Sequence, residues 1–299
     1  MNSKRIEKPT ECANAESRQQ SPTWFNSNFL DEYFMLNYFL LSSNNLIGAM
    51  PATLGKSMPL LRILYMNSNQ LTGGVGFIAS LLHRRDLIEL QLSGNELEGP
   101  FLDSVGNLSM HLHKIIAASN YNRGVIPVRF GNFSSLFLID LRSNELGGDI
   151  PVAITRLDML QVLFMAGNKI SGANPFDIGE MANLNILSFK VNQFSGKIPS
   201  SIGNISRLKH LLLSANTFSS RLPRSFWSLT SLIKLNLSGN NLDGSFPVEV
   251  GKLKNLDTLD LSNNQLSCNL SSAFGELQML AYLDLSHNSF HGPIPQYLG

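Results

Sequence analysis

The chain has 299 residues, and its 23 Lys and Arg residues balance 22 Asp and Glu residues at a net charge of +1. This balance excludes a strongly basic nucleic-acid-binding protein, and 43% hydrophobic against 15% charged residues excludes a mainly disordered chain. Two cysteines, Cys12 and Cys268, are too few for a disulfide-dense scaffold or a four-cysteine zinc site.

The first 35 residues differ in composition from the rest of the chain. Residues 1–23 are polar, lack the apolar core of a signal peptide and are expected to form a disordered tail. Residues 24–35, WFNSNFLDEYFM, are rich in aromatic side chains and are expected to form an irregular cap on the structure that follows. No apolar run reaches about 18 residues, so no membrane span is predicted. With no export signal, this chain alone is expected to remain in the cytoplasm.

A repeat begins at Leu36 and continues to the end of the chain. Its frame is L-x-x-L-x-L-x-x-N-x-L-x-G-x-I-P, and eleven copies occupy residues 36–299. The first three spacings are 25, 26 and 25 residues, and the remaining seven are all 24. This period and the L-x-x-L-x-L-x-x-N core define a leucine-rich repeat. We therefore predict an α/β repeat solenoid, a right-handed superhelix with a parallel β-sheet on its concave face.

Each position of the frame has a structural reason. In the short L-x-L strand the leucines point into the core and the residue between them points outward. Strands of successive repeats pair in parallel, and each repeat covers the apolar face of the next. Gly at position thirteen permits positive φ, and Pro at position sixteen suits the outer edge because it cannot donate to a ladder. The segment that follows, such as residues 200–207, is expected to be a helical turn or irregular coil on the convex side.

An asparagine occupies position nine of every repeat. Its side chain carries two donors and an acceptor, so inside a turn it can bond the backbone of its own coil and of a neighbouring coil. Loss of such a partner by a buried group costs about 1–3 kcal/mol, which predicts a structural asparagine ladder. The predicted members are Asn44, Asn69, Asn95, Asn120, Asn144, Asn168, Asn192, Asn216, Asn240, Asn264 and Asn288.

The G-x-I-P extension and the 24-residue period resemble the plant-specific class of leucine-rich repeats. Segments such as GKIPSSIGNISRLKHLLLSAN (196–216) and LDLSHNSFHGPIP (283–295) are similar to ectodomains of plant receptor kinases and receptor-like proteins. Among these, the similarity is greatest to the pattern-recognition receptor kinases that sense microbial molecules. The resemblance implies a cell-surface recognition module in immune or developmental signalling. Its implied partners are a peptide or protein ligand and a co-receptor kinase.

A complete member of that family would also have a signal peptide, cysteine-paired caps, a membrane span and, in receptor kinases, a kinase domain. None of these is found in the sequence, so the chain is expected to be a fragment or the product of a truncated gene. Two alternatives remain open: a secreted inhibitor similar to the polygalacturonase-inhibiting proteins, and a non-functional remnant.

No pattern in the sequence predicts catalysis, a cofactor or a metal site. The pairs His111 with His113 and His287 with His291 lack the third and fourth ligands that a metal needs. No nucleophile motif such as G-x-S-x-G is present. The glycines at 73–76 occupy the G-x-I-P turn of a repeat and are interpreted as loop residues.

The residue between the two leucines of each L-x-L strand points outward. The same holds for the residues two positions before it and two positions after it. Because the core does not constrain these three positions, they are free to vary, and they are predicted to form the ligand-binding face. Repeats four to eight place apolar side chains there, with charged side chains beside them, as a recognition surface requires. Repeats nine to eleven carry polar strand residues that are expected only to face water. The predicted ligand-binding residues are Tyr65, Gln91, Ile116, Leu138, Asp140, Arg142, Val162, Phe164, Ile186, Ser188, Lys190, His210 and Leu212.

Five N-x-[ST] sequons occur, a number that chance alone explains. Asn107, Asn132 and Asn204 lie in convex segments, where a glycan would leave the concave face open, and they are the predicted acceptors if the chain is secreted. Asn236 lies inside an L-x-L strand, where a glycan would stand on the concave sheet. Cys268 is predicted to be a free thiol, since Cys12 lies in the polar tail.

Overall fold

A computed structural model describes residues 35–74, 76–81, 86–100, 108–172 and 178–296. The predicted tail at 1–23 and the predicted cap at 24–35, apart from Met35, lie outside the described residues. Cys12 and Asn107 also lie outside them. The account below concerns the described residues.

One short strand from each repeat joins a parallel sheet, here named the main sheet. Its eleven strands follow one another in space in the order of the chain, as the repeat predicts. The central residue of each strand points into the core, and Leu64, Leu90 and Leu163 are fully buried there. The strands are Tyr38–Leu40, Ile63–Tyr65, Glu89–Gln91, Lys114–Ile116, Leu138–Asp140, Val162–Phe164, Ile186–Ser188, His210–Leu212, Lys234–Asn236, Thr258–Asp260 and Tyr282–Asp284.

A second parallel sheet, which the sequence analysis did not predict, runs beside the main sheet. It has ten strands from positions ten to thirteen of the repeat, where the turn had been expected to be loop. These segments are poor in strand-forming residues, and they pair because the stacking of repeats places equivalent backbones side by side. The strands are Ile47–Ala49, Gln70–Gly74, Glu96–Gly99, Tyr121–Val125, Glu145–Asp149, Lys169–Gly172, Gln193–Gly196, Thr217–Ser220, Asn241–Gly244 and Gln265–Leu266.

Where the structure describes the third side of a coil, in repeats one, two and four to ten, that side is a short helix, and the sequence predicted a helical turn or irregular coil there. Most of these helices are 3-10 and begin directly after the Pro of the frame, whose fixed φ presets the extended conformation before the first turn. The first two are α-helices, Leu54–Ser57 and Gly76–Leu81. The 3-10 helices are Val128–Asn132, Val152–Arg156, Ile178–Glu180, Ser200–Asn204, Arg224–Ser228, Val248–Lys252 and Ser272–Glu276.

Two positions of the repeat take a left-handed backbone, position eight in all eleven repeats and position thirteen in every repeat except the one with Cys268. At position thirteen the glycines have positive φ, and Ser220 adopts the same conformation at φ 68° without being glycine. Position eight, directly before the ladder asparagine, also has positive φ in every repeat, between 52° and 67°. The sequence analysis did not predict the left-handed residue at position eight, because Ser, Ala, Asn, His and Val occur there as well as Gly, and no single residue type marks the position.

The asparagines of position nine hold neighbouring coils together. In Asn216 the amide nitrogen donates to the carbonyls of Leu213 and Ser214 in its own coil and of Phe189 in the preceding coil. Its amide oxygen accepts from the backbone N–H of Phe194, again in the preceding coil. The first asparagine, Asn44, is exposed, and among the residues that the structure describes its side chain bonds only carbonyls of its own coil. Each later asparagine therefore joins two repeats.

Position eleven, otherwise a buried apolar residue, is Asn122 in repeat four. Its side chain is 1% exposed, and its amide nitrogen donates to the amide oxygen of Asn144 at 2.8 Å. Its own amide oxygen is buried and has no hydrogen-bond partner in the described part of the chain. The sequence analysis did not single out this substitution, although Leu, Ile or Phe at the same position of every other repeat would have marked it.

We expect Asn216→Leu to destabilise the fold by about 2–4 kcal/mol, because it leaves the buried N–H of Phe194 and several carbonyls without partners. Asn44→Leu is the matched control. It removes two bonds at an exposed turn and is expected to cost less than about 1 kcal/mol. Equilibrium urea denaturation measures both, and equal losses would contradict the bridging role of the ladder.

We expect Asn122→Leu to stabilise the fold by about 1–3 kcal/mol, since it replaces an unpaired buried oxygen with apolar surface at a leucine position. Asn122→Asp is the contrasting variant and should destabilise, because it would bury a charge beside the amide oxygen of Asn144. Urea denaturation midpoints of the two variants and the parent protein make the measurement.

Candidate ligand-binding face

The outer face of the main sheet is built from the first and third residues of each strand. In repeats five to eight, the first residues Leu138, Val162, Ile186 and His210 are register partners and form one continuous column. The third residues form a second column beside it: Ile116, Asp140, Phe164, Ser188 and Leu212. The sheet thus brings together the residues predicted from repeats four to eight.

The apolar members of these columns are half-buried, whereas the sequence analysis expected exposed side chains. Adjacent strands lie only ~4.8 Å apart, so their side chains shield one another across the sheet. Of the predicted residues, Arg142 is exposed, Asp140 and Ser188 are buried, and the remaining ones are half-buried: Tyr65, Gln91, Ile116, Leu138, Val162, Phe164, Ile186, Lys190, His210 and Leu212.

Asp140, Arg142 and Phe164 form one unit at the middle of the face. Arg142 donates to the two carboxylate oxygens of Asp140, from Nε at 2.9 Å and from a terminal nitrogen at 2.6 Å. Its guanidinium also lies over the ring of Phe164, 4.5 Å from the centroid. The hydrogen bonds to Asp140 raise the pKa of Arg142. The guanidinium is therefore held in one orientation by a salt bridge and a cation–π contact.

This arrangement corrects the role predicted for Asp140. Its side chain is 6% exposed and is already bound to Arg142, and its Oδ1 also accepts from the Arg142 backbone N–H at 3.2 Å. Asp140 therefore orients Arg142 and does not offer a free carboxylate to a ligand. The prediction for Ser188 is corrected as well, because at 3% exposure its side chain offers almost no surface.

The face of repeats two to five carries a second polar chain. The hydroxyl of Tyr65 donates to Glu89, and the ammonium of Lys114 lies 2.9 Å from the same carboxylate and 5.5 Å from the centroid of Phe137. Burial, followed by the hydrogen bond to Glu89, raises the pKa of Tyr65 to about 12. Burial alone would raise the pKa of Glu89, but the bonds from Tyr65 and Lys114 lower it. Tyr65 and Lys114 are thus both bound to Glu89, and these three side chains satisfy one another.

The face of repeats seven to nine is different, since its cations have no acidic partners among the described residues. Lys190 is half-buried there, and His210 stands directly opposite Lys234 on the next strand. Burial, then the positive charges of Lys234 and Lys209, lower the pKa of His210. This region therefore has positive potential that the protein itself does not neutralise.

Polar strand residues in repeats nine to eleven do more than face water, contrary to expectation. Asn236, Asp260 and Asp284 each accept the backbone N–H of the serine two residues later, at 3.0, 3.1 and 2.9 Å. The Asn236 amide also donates to Asp260 at 2.9 Å. These side chains close the ends of their strands, and those of Asn236 and Asp260 also bond each other.

Val191 is a feature of the face that the sequence analysis missed. It occupies position eight of repeat seven with φ 53° and is 55% exposed beside Lys190. A β-branched residue in the left-handed region is strained, and the other repeats place Ser, Gly, Ala, Asn or His there. The sequence could have revealed this residue, because Val191 is a valine at a repeat position that is otherwise occupied by small or polar residues.

The remaining predicted positions lie away from the face. Asn132 and Asn204 are exposed at the ends of their 3-10 helices, on the side where a glycan would leave the main sheet open. Cys268 is half-buried against the core and is a free cysteine. Among the described residues, no cluster of His, Cys, Asp or Glu could hold a metal ion. No helix in that part of the chain has the length and apolar character to cross a membrane.

Comparison with known proteins shows which proteins this chain is similar to. Models described as leucine rich repeat match residues 246–290, and also 86–108, 207–229 and 231–253. Receptor-like protein 39 of Arabidopsis thaliana is 31% identical over 123 residues, which is 40% of this chain and 14% of that protein. Receptor-like protein 41 of the same plant is 30% identical over 123 residues. The chain thus spans only a small part of these relatives.

Solved structures are similar over a larger share of the chain. The PEPR1–AtPEP1 complex matches 89% of this chain and 37% of that chain at 35% identity, with a TM-score of 0.83. The Arabidopsis receptor kinase HAESA, solved with the peptide hormone IDA and the co-receptor SERK1, matches 89% and 44% at 33% identity, with a TM-score of 0.82. This chain is a leucine-rich-repeat solenoid, and its fold is similar to that of these plant receptor ectodomains.

We expect Val191→Gly to stabilise the fold by about 1 kcal/mol, because it removes a left-handed β-branched residue at the cost of some chain entropy. Gly167→Val is the reciprocal control at the same position, where an added Cβ would meet only ordinary contacts at 3.5 Å. It should destabilise by a similar amount. Urea denaturation of both variants tests this, and a destabilised Val191→Gly would contradict it.

Proposed function

We propose that this chain is the ligand-recognition part of a plant cell-surface receptor and that it binds an extended peptide along the outer face of the main sheet. The observation that carries the proposal is the oriented Arg142 guanidinium on Phe164, flanked by the apolar columns of repeats four to eight. The similar structures support a peptide ligand, since HAESA is described in complex with the peptide hormone IDA, and RGFR1 is described as a peptide hormone receptor in complex with RGF2.

The dimensions of the face suit a strand-like ligand. Eleven strands at ~4.8 Å spacing extend roughly 50 Å, and an extended peptide advances about 3.3 Å per residue, so roughly 15 residues fit along the sheet. The segment from repeat four to repeat eight spans about 20 Å by the same spacing and would contact about six of them. The proposed location of the chain is the cell surface. Signalling from there would need a co-receptor kinase as a membrane partner.

Arg142 is the proposed polar anchor. Of the five N–H donors of a guanidinium, two are directed to Asp140. The three that remain can bind a carboxylate of the ligand without a further loss of side-chain freedom, because Asp140 and Phe164 already fix the group. Val162, Ile186 and Leu212 offer shallow apolar contacts on the side of Phe164 toward repeat eight.

We expect Phe164→Ala to weaken peptide binding at least tenfold, because a central aromatic side chain that also supports Arg142 has the properties of a hot spot. The probe is a set of synthetic 15-residue peptides selected from a random display library on the folded chain, and isothermal titration gives the affinity. Leu212→Ala is expected to lose about three- to tenfold, as a shallower contact.

Tyr121→Ala is the matched control. Tyr121 is an aromatic side chain of similar size, 54% exposed, but it lies on the second sheet. Its loss should leave affinity unchanged. If the Phe164 and Tyr121 variants bind equally, the outer face of the main sheet is the wrong site, and if the library yields no binding peptide, the recognition function is wrong.

A further inference from the structure

The charged side chains on the outer face of the main sheet are unevenly matched. Glu89 is paired with Lys114, and Asp140 with Arg142. Asp260 is bonded to Asn236 and Ser262, and Asp284 to Ser286. In contrast, Lys209, His210 and Lys234 in repeats eight and nine make no ion pair within the described residues.

These three groups also crowd one another. His210 and Lys234 are direct register partners on adjacent strands, and Lys209 precedes His210 in the chain. Like charges directly opposite in a sheet are destabilising. A protonated His210 would therefore be repelled from two sides, which is why both lysines, after burial, lower its pKa.

No neighbouring element relieves this repulsion. The strand on one side, Ile186–Ser188, brings no charged side chain. The strand on the other side brings Lys234. The next strand along brings Asp257 and Asp260, whose carboxylates accept hydrogen bonds from Thr258 and from Asn236. Within the described residues, neither Lys209 nor Lys234 is ion-paired with a carboxylate.

We propose that Lys209, His210 and Lys234 form a subsite for an acidic side chain of the bound peptide and that His210 takes up a proton when that carboxylate binds. This inference rests on the proposed function and extends the binding face into repeat nine, beyond the region that the apolar columns define. The lysines supply fixed positive charge, and the half-buried imidazole supplies charge only when the carboxylate is present.

The direction of the pH dependence follows from linkage. In the free protein the pKa of His210 lies below its usual value, so the imidazole is neutral at neutral pH. A carboxylate within hydrogen-bonding distance favours the charged form and raises that pKa. Binding therefore takes up a proton, and affinity increases as the pH falls. A rise of about one pKa unit on binding gives about fivefold tighter binding at pH 5.5 than at pH 7.5.

The test uses 15-residue peptides selected from a random display library on the full chain at pH 5.5. Peptides that bind are synthesised with each Asp or Glu intact and as the Asn or Gln twin. Titration calorimetry at pH 5.5 and 7.5 gives four affinities for each pair. We expect the acidic peptide to bind about fivefold more tightly at pH 5.5 than at pH 7.5, and we expect its amide twin to show no such change.

Variants assign the effect to the subsite. His210→Gln should abolish the pH dependence, and Lys234→Gln should weaken the acidic peptide about three- to tenfold at both pH values while sparing the twin. His291→Gln is the control, since His291 is an exposed histidine outside the main sheet. Histidine NMR titration should show the pKa of His210 rising when the acidic peptide is added.

The outcomes separate this inference from the one it rests on. If no peptide binds, the recognition function fails. If peptides bind in a manner that depends on Phe164 but acidic and amide twins have equal affinities, the recognition function stands and the acidic subsite is overturned. A pH dependence that survives in His210→Gln would overturn the role of His210 alone.

Discussion

The turn after each strand of the main sheet depends on one side chain. The chain reverses there through a left-handed residue, and the reversal directs several backbone carbonyls and one N–H group inward, away from water. The asparagine of position nine satisfies them: its nitrogen donates to two carbonyls of its own coil and one of the preceding coil, and its oxygen accepts an N–H of that preceding coil. Because unpaired groups of this kind cost about 1–3 kcal/mol each, one residue fixes both the turn and the offset between neighbouring coils.

That fixed offset is what creates a recognition surface. When every coil is stacked in the same register, residues at equivalent positions line up as columns, and the core leucines leave only the outward positions free to differ. Residues with a functional role are therefore those that differ from the other residues at the same position of the repeat. Arg142 and Lys190 are such departures, since most other residues in their column are small, and Val191 is another. Asp140 is not such a departure. Its carboxylate accepts the backbone N–H two residues later, as that of Asp260 does, so this bond belongs to the repeat and is not a sign of ligand contact.

The parts of the fold that the sequence predicts are those encoded by a residue type at one phase. The main sheet follows from the leucines, the turn from the asparagines, and the helix start from the prolines. The second sheet does not follow, because it arises from the stacking of backbones and its segments carry no strand-like composition. The left-handed residue at position eight is hidden for a similar reason, since the conformation is imposed by the turn and filled by Ser43, Gly94 or Val191 alike. For the candidate site, the columns are predictable from alternation, but the capture of Asp140 by Arg142 depends on side-chain rotamers that alternation does not determine.

Two local costs of stability coincide on the same part of the outer face. Val191 strains the backbone in repeat seven, and His210 stands opposite Lys234 in repeats eight and nine, so that a protonated imidazole there would be repelled. A solenoid tolerates such costs because each repeat is stabilised mainly by its immediate neighbours, so a weak interface does not unfold distant coils. The core defect at Asn122 is different in kind, because its unpaired oxygen is buried and faces no ligand surface. By contrast, Lys209 and Lys234 are exposed and have no ion-pair partner among the described residues, and the proposed acidic side chain of the ligand would supply that partner.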